Sequence, residues 1–123
     1  MLKDHFFTIT ALASENNTAT VSIDINEKHK IFDGHFPGQP VVPGVCLLQM
    51  VKEVTEVVLS KKLLLIKAEE LKFLMIINPT VNKTLVMLLN HTSADHGKLN
   101  VTASLLKERS VCFKFKGQFN LSV

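Results

Sequence analysis

The chain has 123 residues, 46% apolar and 20% charged, the make-up of a folded domain rather than a disordered tail, and its length predicts one domain over residues 1–123. Its longest apolar runs, Phe73–Ile77 and Leu85–Leu89, are five residues, far below the roughly 18 of a membrane-crossing helix, and Met1–Phe7 is not followed by the apolar core of a secretory signal. With a net charge of +3, no Trp, no Tyr and only short lysine groupings, nucleic acid is excluded as the expected partner; two cysteines without C-x-x-C spacing predict reduced thiols and a cytoplasmic protein.

His5–Ser14 reads as a strand with Phe7, Ile9, Ala11 and Ala13 in phase, and Asn16-Asn17 as the turn that follows. Thr18–Asn26 alternates strictly, with Ala19, Val21, Ile23 and Ile25 on one face. Glu27–Pro43 holds three of the four prolines and two of the five glycines, which predicts a structured loop. From Gly44 to Ser60 neither residue type recurs, and Leu47, Val51, Val54 and Val58 fall at helical spacing while Lys52, Glu53 and Glu56 carry the charge. That helix is apolar almost all round, so burial on more than one side is expected. Leu63–Ile77 is read as a long strand with an irregularity near Lys67–Glu69, ended by Asn78-Pro79. Two further alternating stretches follow, Val101/Ala103/Leu105 and Val111/Phe113/Phe115, with turns at Asp95-His96-Gly97 and Glu108-Arg109-Ser110. A sheet with one apolar face needs a cover, and the helix is the available one. The fold expected is α+β, an antiparallel sheet of about five to six strands around one long central helix.

The chemistry-bearing residues lie in the loop His35-Phe36-Pro37-Gly38-Gln39-Pro40-Val41-Val42-Pro43-Gly44-Val45. An imidazole on a segment stiffened by three prolines is held in place. Pro43-Gly44 at a helix start exposes N–H groups that can stabilise negative charge on a carbonyl oxygen. A histidine titrating near pH 7 beside such a donor is a minimal kit for removing a proton next to a carbonyl. The alternative is a rigid loop whose histidine caps a neighbouring group.

This run closely resembles the signature of the 3-hydroxyacyl-acyl-carrier-protein dehydratases of fatty acid synthesis (FabZ type), proteins of hotdog fold. The resemblance implies a hydro-lyase that eliminates water from a 3-hydroxyacyl thioester to give a trans-2-enoyl thioester, without metal or cofactor. It implies His35 as the base for the α-proton and the Gly44 N–H as the donor to the thioester carbonyl, with Phe36, Pro43 and Val45 lining the substrate. It also implies a carrier-protein- or CoA-bound acyl chain as substrate, and a homodimer or higher oligomer with its site between subunits. Lys28 and Lys30 would meet the acidic carrier. The turn Asn78–Lys83 keeps the family's proline and drops its Gly-Asp.

One departure outweighs that turn. The family carries a carboxylate on the helix fourteen residues after its histidine, and this chain has Gln49 there. A neutral amide hydrogen-bonds but does not ionise, and losing a general acid costs about 10²–10⁴ in rate. Glu53, one turn on, is the nearest substitute, yet it lies about 6 Å along the axis, so a solvated or ion-paired side chain is the expectation. Three readings follow: a dehydratase, a thioesterase in which Gln49 orients water, or an acyl-binding subunit of a mixed dimer whose partner supplies the Glu. Cys46 in the first helical turn is expected to be a small apolar filler rather than a nucleophile.

Overall fold

The structure is a computed structural model that describes residues 1–34, 38 and 40–121. Strands β1 (Phe7–Glu15) and β2 (Thr18–Ile25) form the first hairpin. A short helix α1 (Ile31–Gly34) interrupts the loop that the composition predicts, and helix α2 (Gly44–Leu59) follows. Strands β3 (Leu63–Phe73), β4 (Thr84–Ser93), β5 (Lys98–Lys107) and β6 (Ser110–Leu121) complete the order. Among the described residues the strands make one antiparallel sheet in the order β1-β2-β4-β5-β6-β3. Strands β1 and β3 are its two edges.

The expected alternation holds where the strand is central. Ala19, Val21, Ile23 and Ile25 of β2 are buried, as are Val101, Ala103 and Leu105 of β5. With Leu47, Met50, Val51 and Val54 of α2 and Phe113, Phe115 and Phe119 of β6 they form one apolar core, so the helix covers the sheet's apolar face. Period-2 patterning needs both neighbours to enforce it, and at the edges it breaks. In β1 the register slips between Ile9 and Ala11, so Ala11 and Ala13 leave the phase of Phe7. In β3 it slips twice, between Leu65 and Lys67 and between Ala68 and Glu70, and the strand ends at Phe73 rather than Ile77. The predicted irregularity is thus two bulges. They bring the Lys67 carbonyl over Gly117 of β6, where an added Cβ would lie 2.6 Å from that oxygen and 2.5 Å from the Phe115 ring.

Helix α2 ends where predicted. Ser60 takes a left-handed conformation (φ 54°), and the Lys61 N–H returns to the Glu56 carbonyl at 3.2 Å, closing the last turn. The apolar-all-round reading also holds, and it extends further than expected. Glu53 and Glu56 are buried at 2% and 9% exposure, not solvated. No described helix is long and apolar enough to cross a membrane.

Candidate active site at the start of the central helix

Proline builds the approach to the helix. Pro43 is its N-cap in extended conformation (φ −63°, ψ 145°), with no side chain capping the turn. The preceding Val42 donates its N–H to the Ile77 carbonyl at 2.9 Å, which pins the loop along the segment after β3. The first N–H groups of a helix have no intrahelical acceptor, and those of Gly44 and Val45 find no other acceptor among the described residues. They point out of the helix with the positive end of its dipole behind them, a ready donor pair for an oxyanion.

Gly44 has a local steric reason to be glycine. A Cβ there would lie 2.9 Å from the Phe73 ring, and that ring packs on Phe113 with centroids 5.1 Å apart. Phe73 is nevertheless 55% exposed and Val45 77% exposed. Leu64, Leu65, Ile66, Leu71, Leu74 and Ile76 extend an exposed apolar band along β3 and the segment after it. On α2 itself, Val45, Leu48, Gln49 and Lys52 share one face by helical spacing, and each is exposed or half-buried.

Gln49, half-buried, therefore sits on this face about one turn beyond the first N–H groups of the helix. Its Nε2 donates to Glu53 Oε2 at 2.7 Å. The same carboxylate accepts the Leu2 N–H at 2.9 and 3.1 Å and the Lys3 N–H at 2.7 Å. Burial pushes the Glu53 pKa up, but the hydrogen bonds from Leu2, Gln49 and Lys3 prevail and hold it below the usual glutamate range. Glu53 is thus a fixed anion with its lone pairs taken, neither a solvated side chain nor a free acid. Sequence reasoning missed this because the Leu2–Lys3 segment that satisfies it is some fifty residues away. A signal existed in principle: a glutamate on a helix apolar all round, one turn from a glutamine, has an amide to pair with.

His35 and Phe36 lie outside the described residues. Pro43, which is buried, stands with Gly44 and Val45 at the start of α2, and of the four only Val45 and Gln49 share a face by helical spacing. Cys46 is buried and burial raises its thiol pKa, the behaviour of a filler. Asp33 ends up in α1, exposed, and Lys28 and Lys30 are exposed before it. His29 turns inward instead, accepting the Ile31 N–H at 3.1 Å and meeting the Phe6 ring edge-on.

Comparison with known proteins bears on this end of the helix. The family described as ApeI-like (ApeI dehydratase) matches residues 11–116. The 3-hydroxyacyl-[acyl-carrier-protein] dehydratase FabZ of Caulobacter vibrioides (strain NA1000 / CB15N) is 30% identical over 105 residues, covering 77% of this chain and 54% of that protein. The chain spans about a third to a half of the length of the curated relatives it matches. Among solved structures, a chain of the dehydratase heterocomplex ApeI:P from Xenorhabdus doucetiae superposes with a TM-score of 0.71 at 20% identity, covering 91% of this chain and 96% of that one. A phenylacetic acid degradation-related protein from Ralstonia eutropha JMP134, provisionally assigned as a thioesterase, shares the fold with a TM-score of 0.67 at 14% identity, covering 94% and 84%.

Proposed function

The chain belongs to the ApeI-like dehydratase family and has the hotdog fold, and from that premise we propose that it serves the dehydration of 3-hydroxyacyl thioesters borne by an acyl-carrier protein or CoA. The observation that carries the reading is the pair of N–H groups at Gly44 and Val45 that no described residue accepts, with the Phe73 ring beside Gly44 and Gln49 one helical turn beyond Val45. In this reading the thioester carbonyl accepts from Gly44, so negative charge that develops on its oxygen meets the helix dipole. His35 takes the proton from C2, the C2–C3 double bond forms, and the C3–O bond breaks. The departing hydroxide needs a proton to leave as water. Gln49 has none to give, so the proton is supplied by a carboxylic acid from a partner chain or returned by the His35 imidazolium. Pro43, Val45 and Phe36 line the acyl chain. The proposal carries with it a reducing, cytoplasmic setting, with which two buried free thiols, Cys46 and Cys112, are in keeping.

A partner chain is part of the proposal. The apolar band along β3 lies on a sheet edge, and such an edge calls for a covering strand. A homodimer would place Gln49 in both sites. A mixed dimer with a Glu-bearing homologue would restore one complete site, and the similar Xenorhabdus chain comes from a heterocomplex.

The test is to supply 3-hydroxyacyl carrier protein to the pure chain, alone and mixed with such a homologue, and to identify products by mass. An enoyl thioester supports dehydration, and replacing His35 by Ala should lower it by about 10²–10⁴. Free acid with carrier thiol would make the chain a thioesterase. No product from the chain alone, but enoyl product from the mixture that is lost with His35→Ala, would identify it as the His-bearing half of a mixed dimer.

A further inference from the structure

The hydrogen bonds around Glu53 decide which atom Gln49 offers to a ligand. A carboxamide can turn about its last side-chain bond and present either its oxygen or its NH₂. An ionised carboxylate accepts and does not donate, and Glu53 is kept ionised by the Leu2 and Lys3 N–H groups, which are donors only. Gln49 must therefore turn its NH₂ toward Glu53, as the 2.7 Å contact from Nε2 to Oε2 records. Its Oε1 takes no hydrogen bond among the described residues and is left to the open face.

We propose that Glu53 is a positioning residue that fixes Gln49 as an acceptor, so that the site selects an acyl chain with a hydroxyl at C3 over one with a carbonyl there. The selection arises because Oε1 accepts from a C3 hydroxyl, whereas a C3 carbonyl would set two acceptors against each other. An amide free to turn would serve both. This rests on the 3-hydroxyacyl thioester reading given above and deepens it, since it names the residue that holds Gln49 in the orientation a C3 hydroxyl needs. It also gives Glu53 a role beyond tying down the Leu2–Lys3 segment.

Two measurements test it separately. The first needs no ligand. In chain labelled with ¹⁵N at glutamine side chains, the Gln49 NH₂ signals, assigned by their loss in Gln49→Met, should be displaced and slow to exchange, and Glu53→Gln should shift them toward the free-amide position. A free-amide signal in the unaltered chain overturns the positioning role outright, whether or not any variant folds. The second is calorimetry with amide-linked 3-hydroxyacyl and 3-oxoacyl pantetheine analogues of equal length, in which nitrogen replaces the thioester sulfur. The unaltered chain should bind the hydroxyacyl analogue about 10-fold more tightly, and Glu53→Gln should reduce that preference to about 2-fold. Lys3→Pro removes one N–H from Glu53 but leaves its charge and its bond to Gln49, so the preference should persist. Equal loss in Lys3→Pro and Glu53→Gln would overturn the proposal and leave Glu53 a tie for the first residues. If the unaltered chain binds neither analogue while the Gln49 signals are displaced, the thioester reading falls and the orientation of Gln49 stands.

Discussion

The two halves of helix α2 treat their polar groups in opposite ways. From Glu53 onward every one is matched. Glu53 accepts from Leu2, Lys3 and Gln49. Thr55 donates to the Val51 carbonyl at 2.7 Å, Glu56 accepts the Leu63 N–H at 2.8 Å, and Lys61 closes the last turn. At the other end the helix starts without a side-chain cap, and its first N–H groups meet no acceptor among the described residues and lie beside exposed apolar side chains. A buried polar group that is satisfied holds a fold together, whereas donors left open beside an apolar wall are available to a ligand. The difference gives the second half an architectural role and leaves the first, on the function proposed above, to a ligand, and Gln49 is where they meet.

That division breaks first if Glu53 proves dispensable. Glu53→Ala takes the acceptor from three part-buried donors, so a loss of about 1–3 kcal/mol is expected, read as a lower urea midpoint at unchanged slope. The pH dependence has a definite sign. Because the folded pKa is lowered, the contribution is complete above the ordinary glutamate value, about pH 4.3, and is lost as pH falls through the folded value below it. Glu53→Gln should flatten that acid limb. Unchanged acid sensitivity in Glu53→Gln would show that the carboxylate is not the anchor described.

The meeting point is probed by Gln49→Glu. The two side chains are nearly isosteric, and the new carboxyl would lie hydrogen-bonded to the ionised Glu53. A neighbouring anion and partial burial both raise a carboxyl pKa, and such a pair holds one shared proton. That is the protonated form a general acid needs, so turnover of 3-hydroxyacyl thioester by the chain alone should rise by up to about 10²-fold. The gain should fade as pH rises through the raised pKa. No gain, with the fold intact, would leave the open end without dehydration geometry.

How much of this was legible in the sequence follows the same division. Of the central strands β2 and β5 were readable, as was the helix, because each is enforced by its own period, 2 in Ala19–Ile25 and 3.6 in Leu47–Val58, whereas β4 was not, since its Leu85–Leu89 run is apolar without alternation. The loop at His35–Val45 was readable because it is one contiguous motif. The edges were legible only in part: the irregularity of β3 near Lys67–Glu69 could be read, but the slips at Thr10 and Ile66 could not, since a bulge costs little where only one neighbour fixes the register. Nor was the burial of Glu53, because its partners come from residues far off in sequence. Phe73 was legible as apolar but not as the wall against Gly44, a contact that only the end of β3 creates.

Two glycines sharpen the comparison between open and closed regions. Gly117 faces the Lys67 carbonyl, a backbone atom that cannot move aside, so Gly117→Ala should cost about 1–3 kcal/mol in stability. Gly44 faces the Phe73 ring, a half-exposed side chain packed on Phe113 that can shift more readily than a backbone atom. Alanine also favours helix by about 1 kcal/mol over glycine. Gly44→Ala should therefore change stability by less than about 1 kcal/mol while displacing the ring from the open N–H groups. A fall in thioester turnover without a fall in melting temperature is the expected signature, and the reverse pattern would make Gly44 a packing residue only.

The smallest effect concerns charge at the two ends. Lys28 and Lys30 are exposed just before the His35 motif, whereas Lys61 and Lys62 line a groove at the far end of α2 with Lys3 and Glu56. If the carrier docks where its acyl chain enters, the first pair meets its acidic surface and the second does not. Exposed rim charges act mainly on association rate, and salt screens them over about 8–10 Å. Reversing Lys28 and Lys30 to Glu should slow carrier association by about 3–10-fold at low salt, with the effect shrinking at higher salt. A small N-acetylcysteamine thioester, which carries no acidic surface, should be handled as before. Reversing Lys61 and Lys62 serves as the control at equal change in net charge, and should do less. Equal slowing by both pairs would mean that the carrier senses the molecule's overall charge rather than the open end of the helix, and equal loss with the small thioester would place Lys28 and Lys30 in the site itself.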